Sequence, residues 1–244
     1  MRAPIETLLF DFGGTLDADG VAWKERFYRY YSDEGLDLTA DTFEPRFFAA
    51  DNSLVGSLPP TTNLSETVCA LVANLESELA HQSAPTDKAG VAGGRNIGDR
   101  SVRVASRYLS EATAAFARNR PILEVLRARY RLGIVSNFYG NLEAVCQSAG
   151  LASLFAVMID SHCVGAQKPD PAIYHAAFET IRATPGTTVF VGDSLRRDRE
   201  GARRTGMRFI WIAPHDVQIA EAQAHGEPAE HTITELGGLL KILT

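Results

Sequence analysis

The sequence predicts an α/β protein built on a doubly wound, Rossmann-like parallel sheet, with a block of helices inserted after the first strand. The first observation is a series of short, continuously apolar runs, which are typical of strands buried on both faces of a sheet. The second is that helical patterns separate the later runs, and such alternation favours parallel strands. The predicted strands cover residues 7–12, 132–136, 157–160, 188–193 and 208–212.

Two kinds of region divide the chain. After the second strand, helical patterns at residues 141–149, 171–182 and 197–205 alternate with the strands, and glycines end several of them. The stretch 18–118 is largely helical in pattern and contains no convincing buried strand. We therefore expect one domain from residues 1–17 and 119–244, and a helical domain from residues 18–118. The predicted elements of the insertion are helices at 23–32, 64–80 and 102–118 and a mobile loop at 83–98.

Composition limits the function classes. The chain has 244 residues, of which 45% are hydrophobic and 22% charged, and its net charge is −6. This negative net charge argues against nucleic acid as the main partner, because duplex binding depends on neutralising phosphates with Lys and Arg side chains. The densest basic run, between Arg196 and Arg208, is interpreted as a solvated helix face. No apolar run approaches the roughly 18 residues of a membrane span, and the N-terminus lacks a secretory pattern, so we expect no membrane and a cytoplasmic location.

The first two polar motifs follow predicted strands. Asp11 ends the first strand and precedes two glycines, which allow a ligand to approach the backbone closely. A carboxylate exposed in this way can act as a covalent nucleophile. Ser136 and Asn137 end the second strand, where a hydroxyl and an amide can hold phosphoryl oxygens. Each motif alone also fits ordinary turn chemistry.

Two further motifs supply charges. Lys168 precedes a proline and can present a fixed positive charge to an anion. Asp193 and Asp198 lie on either side of a strand-to-helix turn, and Mg²⁺ prefers a few carboxylates together with substrate phosphate and water. Taken singly, these residues also fit capping and surface roles. Ligands of parallel sheets bind beyond the carboxyl ends of the strands, so the four motifs are expected along one rim.

In the order and context of these motifs, the chain resembles the haloacid dehalogenase superfamily and its phosphatase-like branch, over residues 5–16, about 120–215 and the helical insertion. The resemblance implies that Asp11 is the nucleophile, Ser136 binds phosphate and Lys168 neutralises the nucleophile and the transferring group. It implies that the insertion is a cap that largely selects a small substrate. The implied magnesium ligands are Asp11, the Gly13 carbonyl, Asp193 and Asp198, the last acting through water or by holding Lys168. Insertion side chains that could face the substrate are Trp23, Arg26, Arg29 and Arg46.

The chain departs from the family at Gly13, where its phosphatases carry an aspartate that protonates the leaving group. Such general acid help is worth about 10²–10⁴-fold. Asp17 and Asp19 are candidate substitutes, although their positions favour a surface turn. We expect a magnesium-dependent phosphatase that acts on small phosphorylated metabolites through an aspartyl intermediate. The alternatives are a metal-independent 2-haloacid dehalogenase-type hydrolase and a catalytically impaired binding protein.

Overall fold

A six-stranded parallel sheet forms the centre of the computed structural model, which describes residues 3–80, 97–225 and 231–243. Its strands are β1 (Thr7–Phe10), β2 (Arg131–Ser136), β3 (Val157–Asp160), β4 (Thr188–Gly192), β5 (Arg208–Ile212) and β6 (Thr232–Ile233). They lie in the order β3-β2-β1-β4-β5-β6, and every neighbouring pair is parallel. The predicted α/β class is confirmed. The two-residue strand β6 is an addition, too short to give a sequence signal.

Both faces of the sheet are buried, which explains why the strands are apolar without alternation. Leu9, Val135 and Phe190 point into a core cluster on one face. Phe10 and Ile134 point into the larger cluster on the other face, which also includes apolar side chains of the insertion. Two buried faces fix the register of each strand, since a shift by one residue would exchange the two sets of side chains.

Helices fill the segment between β1 and β2, and the described part of that segment contains no strand. These helices are α1 (Trp23–Asp33), α2 (Ala40–Asn52), α3 (Leu64–Ala80) and α4 (Ile97–Arg127). The helices described after β2 are α5 (Leu142–Ser148), α6 (Ser161–Val164), α7 (Pro171–Ile181), α8 (Glu200–Thr205), α9 (His215–His225) and α10 (Leu239–Ile242). None of the described helices is both long and apolar enough to cross a bilayer.

Helix α2 was not among the predicted elements, because Pro45 interrupts its pattern. The helix nevertheless forms: the Thr39 hydroxyl caps it by accepting a hydrogen bond from the Thr42 amide at 3.3 Å. Phe43 and Phe47, four residues apart, bury one face of the helix. Burial of this aromatic face outweighs the missing amide of the proline.

Helix α4 continues past the expected domain boundary at residues 118/119 and ends at Arg127. Pro121 is a helix-breaking signal, yet Phe116, Leu123 and Leu126 remain on one buried face, and their packing carries the helix through. The division into two domains stays a prediction. The predicted loop at 83–98 lies outside the described residues up to 96, and its last two residues belong to the first turn of α4.

Candidate active site

The carboxyl ends of β1, β2 and β4 meet at one edge of the sheet, where a pocket of about 620 Å³ lies against the insertion. The sheet side contributes Asp11, Gly13, Ser136, Asn137, Lys168, Asp193 and Arg197. The insertion and the loop before it contribute Val21, Trp23, Lys24, Glu25, Phe47, Phe48 and Asp51. The structure thus brings the predicted site residues to one place, with Asp198 fully buried just beyond the pocket wall.

Asp11 follows β1 directly and is almost completely buried. Its Oδ1 accepts hydrogen bonds from the Phe12 amide at 2.8 Å and the Ser136 hydroxyl at 2.7 Å. The same oxygen lies 2.7 Å from the Lys168 ammonium. Oδ2 accepts no hydrogen bond from any residue that the structure describes. The carboxylate is therefore fixed through one oxygen, and the other stays open to react or to bind a cation.

Lys168 lies between two carboxylates, with Nζ 2.7 Å from Asp11 Oδ1 and 2.8 Å from Asp198 Oδ1. Burial alone would lower the pKa of Lys168, but these two negative charges outweigh it and raise the pKa above its ordinary value. Asn137 accepts a hydrogen bond from the Lys168 amide at 2.8 Å and donates to its carbonyl at 3.3 Å. Asn137 thus positions the lysine, in addition to lining the pocket as predicted.

Asp193 and Asp198 are placed by the turn after β4. The chain forms a π-helical turn at Leu195–Arg199, and the Ser194 amide donates to Asp198 Oδ2 at 3.0 Å. The Thr15 hydroxyl donates to Asp193 Oδ1 at 3.2 Å, which links this turn to the loop after β1. A side chain at Gly192 would place its Cβ 2.3 Å from Asp198 Oδ2, so only glycine fits there.

The acidic cluster fits a divalent cation. One carboxylate oxygen each from Asp11, Asp193 and Asp198 lies within 4.8 Å of the others. Octahedral Mg²⁺ places its ligand oxygens about 3 Å apart when adjacent and about 4.2 Å when opposite. Burial and the charges of Asp11 and Asp198 raise the pKa of Asp193 well above its ordinary value. A cation would offset this repulsion, and it would receive the all-oxygen donor set that Mg²⁺ prefers.

Gly14 gives a test of this geometry. It has a φ of +85°, and a Cβ there would lie 2.6 Å from Asp193 Oδ2. We expect Gly14→Ala to lower the free energy of unfolding by about 1–3 kcal/mol through backbone strain, and to displace Asp193 so that magnesium no longer raises the unfolding temperature. Gly35→Ala is the matched control, because Gly35 has the same φ of +85° with nothing within 4 Å. Equal magnesium responses in the two variants would contradict this account of Asp193.

Trp23 occupies the space beside Gly13. A Cβ on Gly13 would lie 3.0 Å from the indole Nε1 of Trp23. The indole is fixed there because Nε1 donates to Asp17 Oδ2 at 2.8 Å. An aromatic ring therefore lies where the resemblance would place an acid/base aspartate.

The expectation of a surface turn at Asp17 is wrong. Asp17 is only 1% exposed, and its Oδ1 accepts a hydrogen bond from the Gly14 amide. Its Oδ2 accepts from Arg26 Nη1 at 2.8 Å and from the Tyr108 hydroxyl at 2.5 Å, in addition to Trp23. With both oxygens so occupied, Asp17 cannot transfer protons to a substrate. Asp19, in contrast, is partly exposed and pairs with Arg118 at 2.7 Å.

Two further side chains in the pocket escaped the sequence analysis. Arg197 belongs to the basic run interpreted as a solvated face, but it lines the pocket, and the carboxylates of Asp11 and Asp51 both act on it electrostatically. Asp51 is the penultimate residue of the unpredicted helix α2, and its Oδ1 accepts a hydrogen bond from the Tyr139 hydroxyl at 2.5 Å. No short motif marks Asp51, since helix α2 and the loop after β2 meet only in the folded chain. Arg197 lies in the turn after β4, where its basic neighbours conceal it in the sequence.

The insertion residues singled out from the sequence have different surroundings. Trp23 lines the pocket and Arg26 lies in the buried network around Asp17. Arg29 instead pairs with Glu111 on the surface, and Arg46 donates to a carbonyl of its own helix. Of the four, only Trp23 is therefore positioned to contact a substrate directly.

Comparison with known proteins shows which sequences this chain resembles. The family model of the haloacid dehalogenase-like hydrolases matches residues 5–206. Haloacid dehalogenase-like hydrolase domain-containing protein 3 of Bos taurus is 34% identical over 113 residues, which are 46% of this chain and 45% of that protein. Glyceraldehyde 3-phosphate phosphatase of Pyrococcus furiosus is 28% identical over 138 residues, covering 56% and 55%. The chain thus spans about half the length of the curated relatives it matches.

Solved structures resemble the whole chain. YfnB of Bacillus subtilis, a HAD-hydrolase whose structure contains magnesium, has a TM-score of 0.57 and 20% identity, with 99% of both chains covered. A 2-haloacid dehalogenase of Pseudomonas syringae has a TM-score of 0.51 and 21% identity, with 98% of both chains covered. At these identities the likeness concerns the fold.

Proposed function

Because the chain belongs to the haloacid dehalogenase-like hydrolases, we propose that it is a magnesium-dependent phosphatase that acts on small phosphorylated molecules. The observation that carries this proposal is the acidic cluster of Asp11, Asp193 and Asp198 beside the buried ammonium of Lys168. Magnesium-dependent transfer of a phosphoryl group uses a nucleophile, positive charge for the phosphoryl oxygens and a metal site. The similarity to glyceraldehyde 3-phosphate phosphatase supports the same reaction class.

In the proposed reaction, Asp11 Oδ2 attacks phosphorus and forms an aspartyl phosphate, which water then hydrolyses. Oδ2 is the atom left open when Oδ1 is held by the Ser136 hydroxyl and Lys168. Lys168 places one fixed positive charge at the reacting centre, and Asn137 holds its backbone. Fixed charges of this kind stabilise a transition state without reorganising during the reaction.

Magnesium, when bound, would neutralise phosphoryl charge and screen the carboxylate from its substrate. Asp11, Asp193 and the Gly13 carbonyl would hold it from the pocket side. Asp198 has both oxygens engaged, by Lys168 and the Ser194 amide, so we assign it the task of holding Lys168. The helical insertion supplies the aromatic side of the pocket, and we propose that it acts as a cap that selects the substrate.

Metal-independent dehalogenation is the second candidate, favoured by Gly13 and by the fold shared with 2-haloacid dehalogenases. We expect the purified protein to release phosphate from 4-nitrophenyl phosphate with magnesium, and to lose this activity when EDTA removes the metal. Chloride release from 2-chloropropionate in EDTA, without phosphate release, would instead establish the dehalogenase. Absence of both activities would leave the impaired, non-catalytic interpretation.

A further inference from the structure

The proposed phosphatase requires a proton for its leaving group, and the usual source is missing. Gly13 has no side chain, and Trp23 fills the space beside it. Asp17, the first carboxylate after Gly13 in the chain, is saturated by hydrogen bonds. A substrate with a poor leaving group would therefore need an acid from another part of the pocket.

Four carboxyl groups line the described part of the pocket, those of Asp11, Glu25, Asp51 and Asp193. Asp11 is the proposed nucleophile, and Asp193 belongs to the acidic cluster. Glu25 is exposed at the rim and makes no hydrogen bond to a described residue. Asp51 is partly buried, and a donor holds it in place: the Tyr139 hydroxyl donates to its Oδ1 at 2.5 Å.

Asp51 is anchored to the same loop that carries the site. Tyr139 comes three residues after Ser136, whose hydroxyl contacts Asp11. The Gly56 amide, just beyond α2, donates to the Tyr139 carbonyl at 3.1 Å. Two contacts therefore join the end of α2 to the loop after β2. Asp51 Oδ2 accepts no hydrogen bond within the described residues, so this oxygen is available to carry a proton into the pocket.

The surroundings of Asp51 favour a carboxyl group that can be protonated. Burial raises its pKa, and the Tyr139 hydroxyl and the positive charge of Arg197 offset that effect only in part. Lys24 and Glu25 also line this side of the pocket, but Lys24 is paired with Glu44 at 3.0 Å. A raised pKa brings a carboxyl group closer to the range in which general acids work.

Resting on the phosphatase function proposed above, we propose that Asp51 of the insertion is the general acid, in place of the side chain that Gly13 lacks. As Asp11 Oδ2 forms its bond to phosphorus, the bond from phosphorus to the ester oxygen breaks, and that oxygen takes the proton from Asp51. In the second step, water attacks the phosphorus of the aspartyl phosphate and gives its proton to Asp51. Asp11 leaves as a carboxylate, and the acid is restored.

The test compares two aromatic phosphate esters whose leaving groups differ in their need for a proton. 4-Nitrophenyl phosphate has a leaving group that departs without a proton, whereas benzyl phosphate releases an alkoxide that requires one. We expect Asp51→Asn to lower kcat/KM for benzyl phosphate by about 10²-fold or more. For 4-nitrophenyl phosphate we expect a change of less than about threefold. The ratio kcat/KM is the proper measure, because it covers the steps up to leaving-group departure and excludes hydrolysis of the intermediate.

Glu25→Gln is the matched control, since it neutralises another carboxyl group of the same pocket. Glu25→Gln should leave unchanged the ratio of the kcat/KM values for benzyl phosphate and 4-nitrophenyl phosphate. Equal loss on both substrates in Asp51→Asn, or no loss on either, would overturn the assignment of Asp51. Retained hydrolysis of 4-nitrophenyl phosphate shows that the variant is folded. If the unmodified protein hydrolyses neither substrate with magnesium, the proposed function itself fails.

Discussion

Replacing Asp11 by asparagine is expected to lower phosphate release by about 10⁴-fold or more while the protein stays folded. An amide oxygen can still accept the hydrogen bonds of the Phe12 amide and the Ser136 hydroxyl at Oδ1, so the loop after β1 keeps its anchors. The second amide position carries nitrogen and cannot attack phosphorus. We therefore expect Asp11→Asn to lose phosphate release but to keep its fold.

Magnesium-dependent release of phosphate from 4-nitrophenyl phosphate measures this effect, with thermal unfolding as the readout of folding. Asp19→Asn is the matched control, because Asp19 lies in the same segment but pairs with Arg118 and is not among the residues that line the pocket. Turnover by Asp19→Asn should stay within about twofold of that by the unmodified protein, since exposed ion pairs contribute little to stability. Undiminished turnover in Asp11→Asn would exclude the covalent mechanism.

Replacing Lys168 by methionine is expected to affect stability and activity together. The Lys168 side chain is 1% exposed, and its ammonium lies between Asp11 and Asp198. Removing one member of a buried charge group leaves uncompensated charge, so the free energy of unfolding should fall by about 3–5 kcal/mol. Turnover should fall by about 10²-fold or more, because a fixed charge at the reacting centre is lost.

Chemical denaturation at two pH values measures the stability loss. Burial raises the pKa of Asp198, and Lys168 partly offsets this effect. Without Lys168 that pKa rises further, and the folded protein then gains a stabilising proton as the pH falls. The loss in free energy of unfolding caused by Lys168→Met should therefore be smaller at pH 5 than at pH 8.

Lys24→Met controls for the loss of a positive charge from the same pocket. Lys24 and its partner Glu44 are 29% and 42% exposed, and such a pair contributes about 1 kcal/mol or less. A Lys168 variant that is as stable as the Lys24 variant at both pH values would contradict the electrostatic role assigned to Lys168.

The sheet was predictable from sequence because its evidence is local. Strands β1, β2 and β4 are apolar runs, and the polar residue at the end of each is placed on the pocket rim by chain direction alone. Asp11, Ser136 and Asp193 required no knowledge of tertiary contacts. The outcome at Asp17 shows the limit, because its burial depends on Tyr108, which lies 91 residues away. The local sequence around a turn aspartate is the same whether a distant partner buries it or it is exposed to solvent.

The insertion was less predictable for a related reason. Pro45 and Pro121 are strong local signals against helix, and both lie within helices whose apolar faces are buried by distant parts of the chain. Missing α2 also meant missing Asp51, whose contact with Tyr139 crosses 88 positions. Arg197 was not predicted as a pocket residue, because the sequence of a basic run does not show which of its side chains face the pocket and which face solvent. In each of these cases the structure depends on packing between distant parts of the chain, which local sequence patterns do not reveal.

The saturated carboxylate of Asp17 limits how this protein could be recombined with its relatives. Asp17 joins the loop after β1 to Trp23 and Arg26 of α1 and to Tyr108 of α4. A chimera that exchanged residues 18–118 but kept Asp17 would leave its carboxylate without the donors Trp23, Arg26 and Tyr108, next to the loop after β1. Asp17 and its donors Trp23, Arg26 and Tyr108 should therefore be exchanged together in any chimera designed to change the substrate preference.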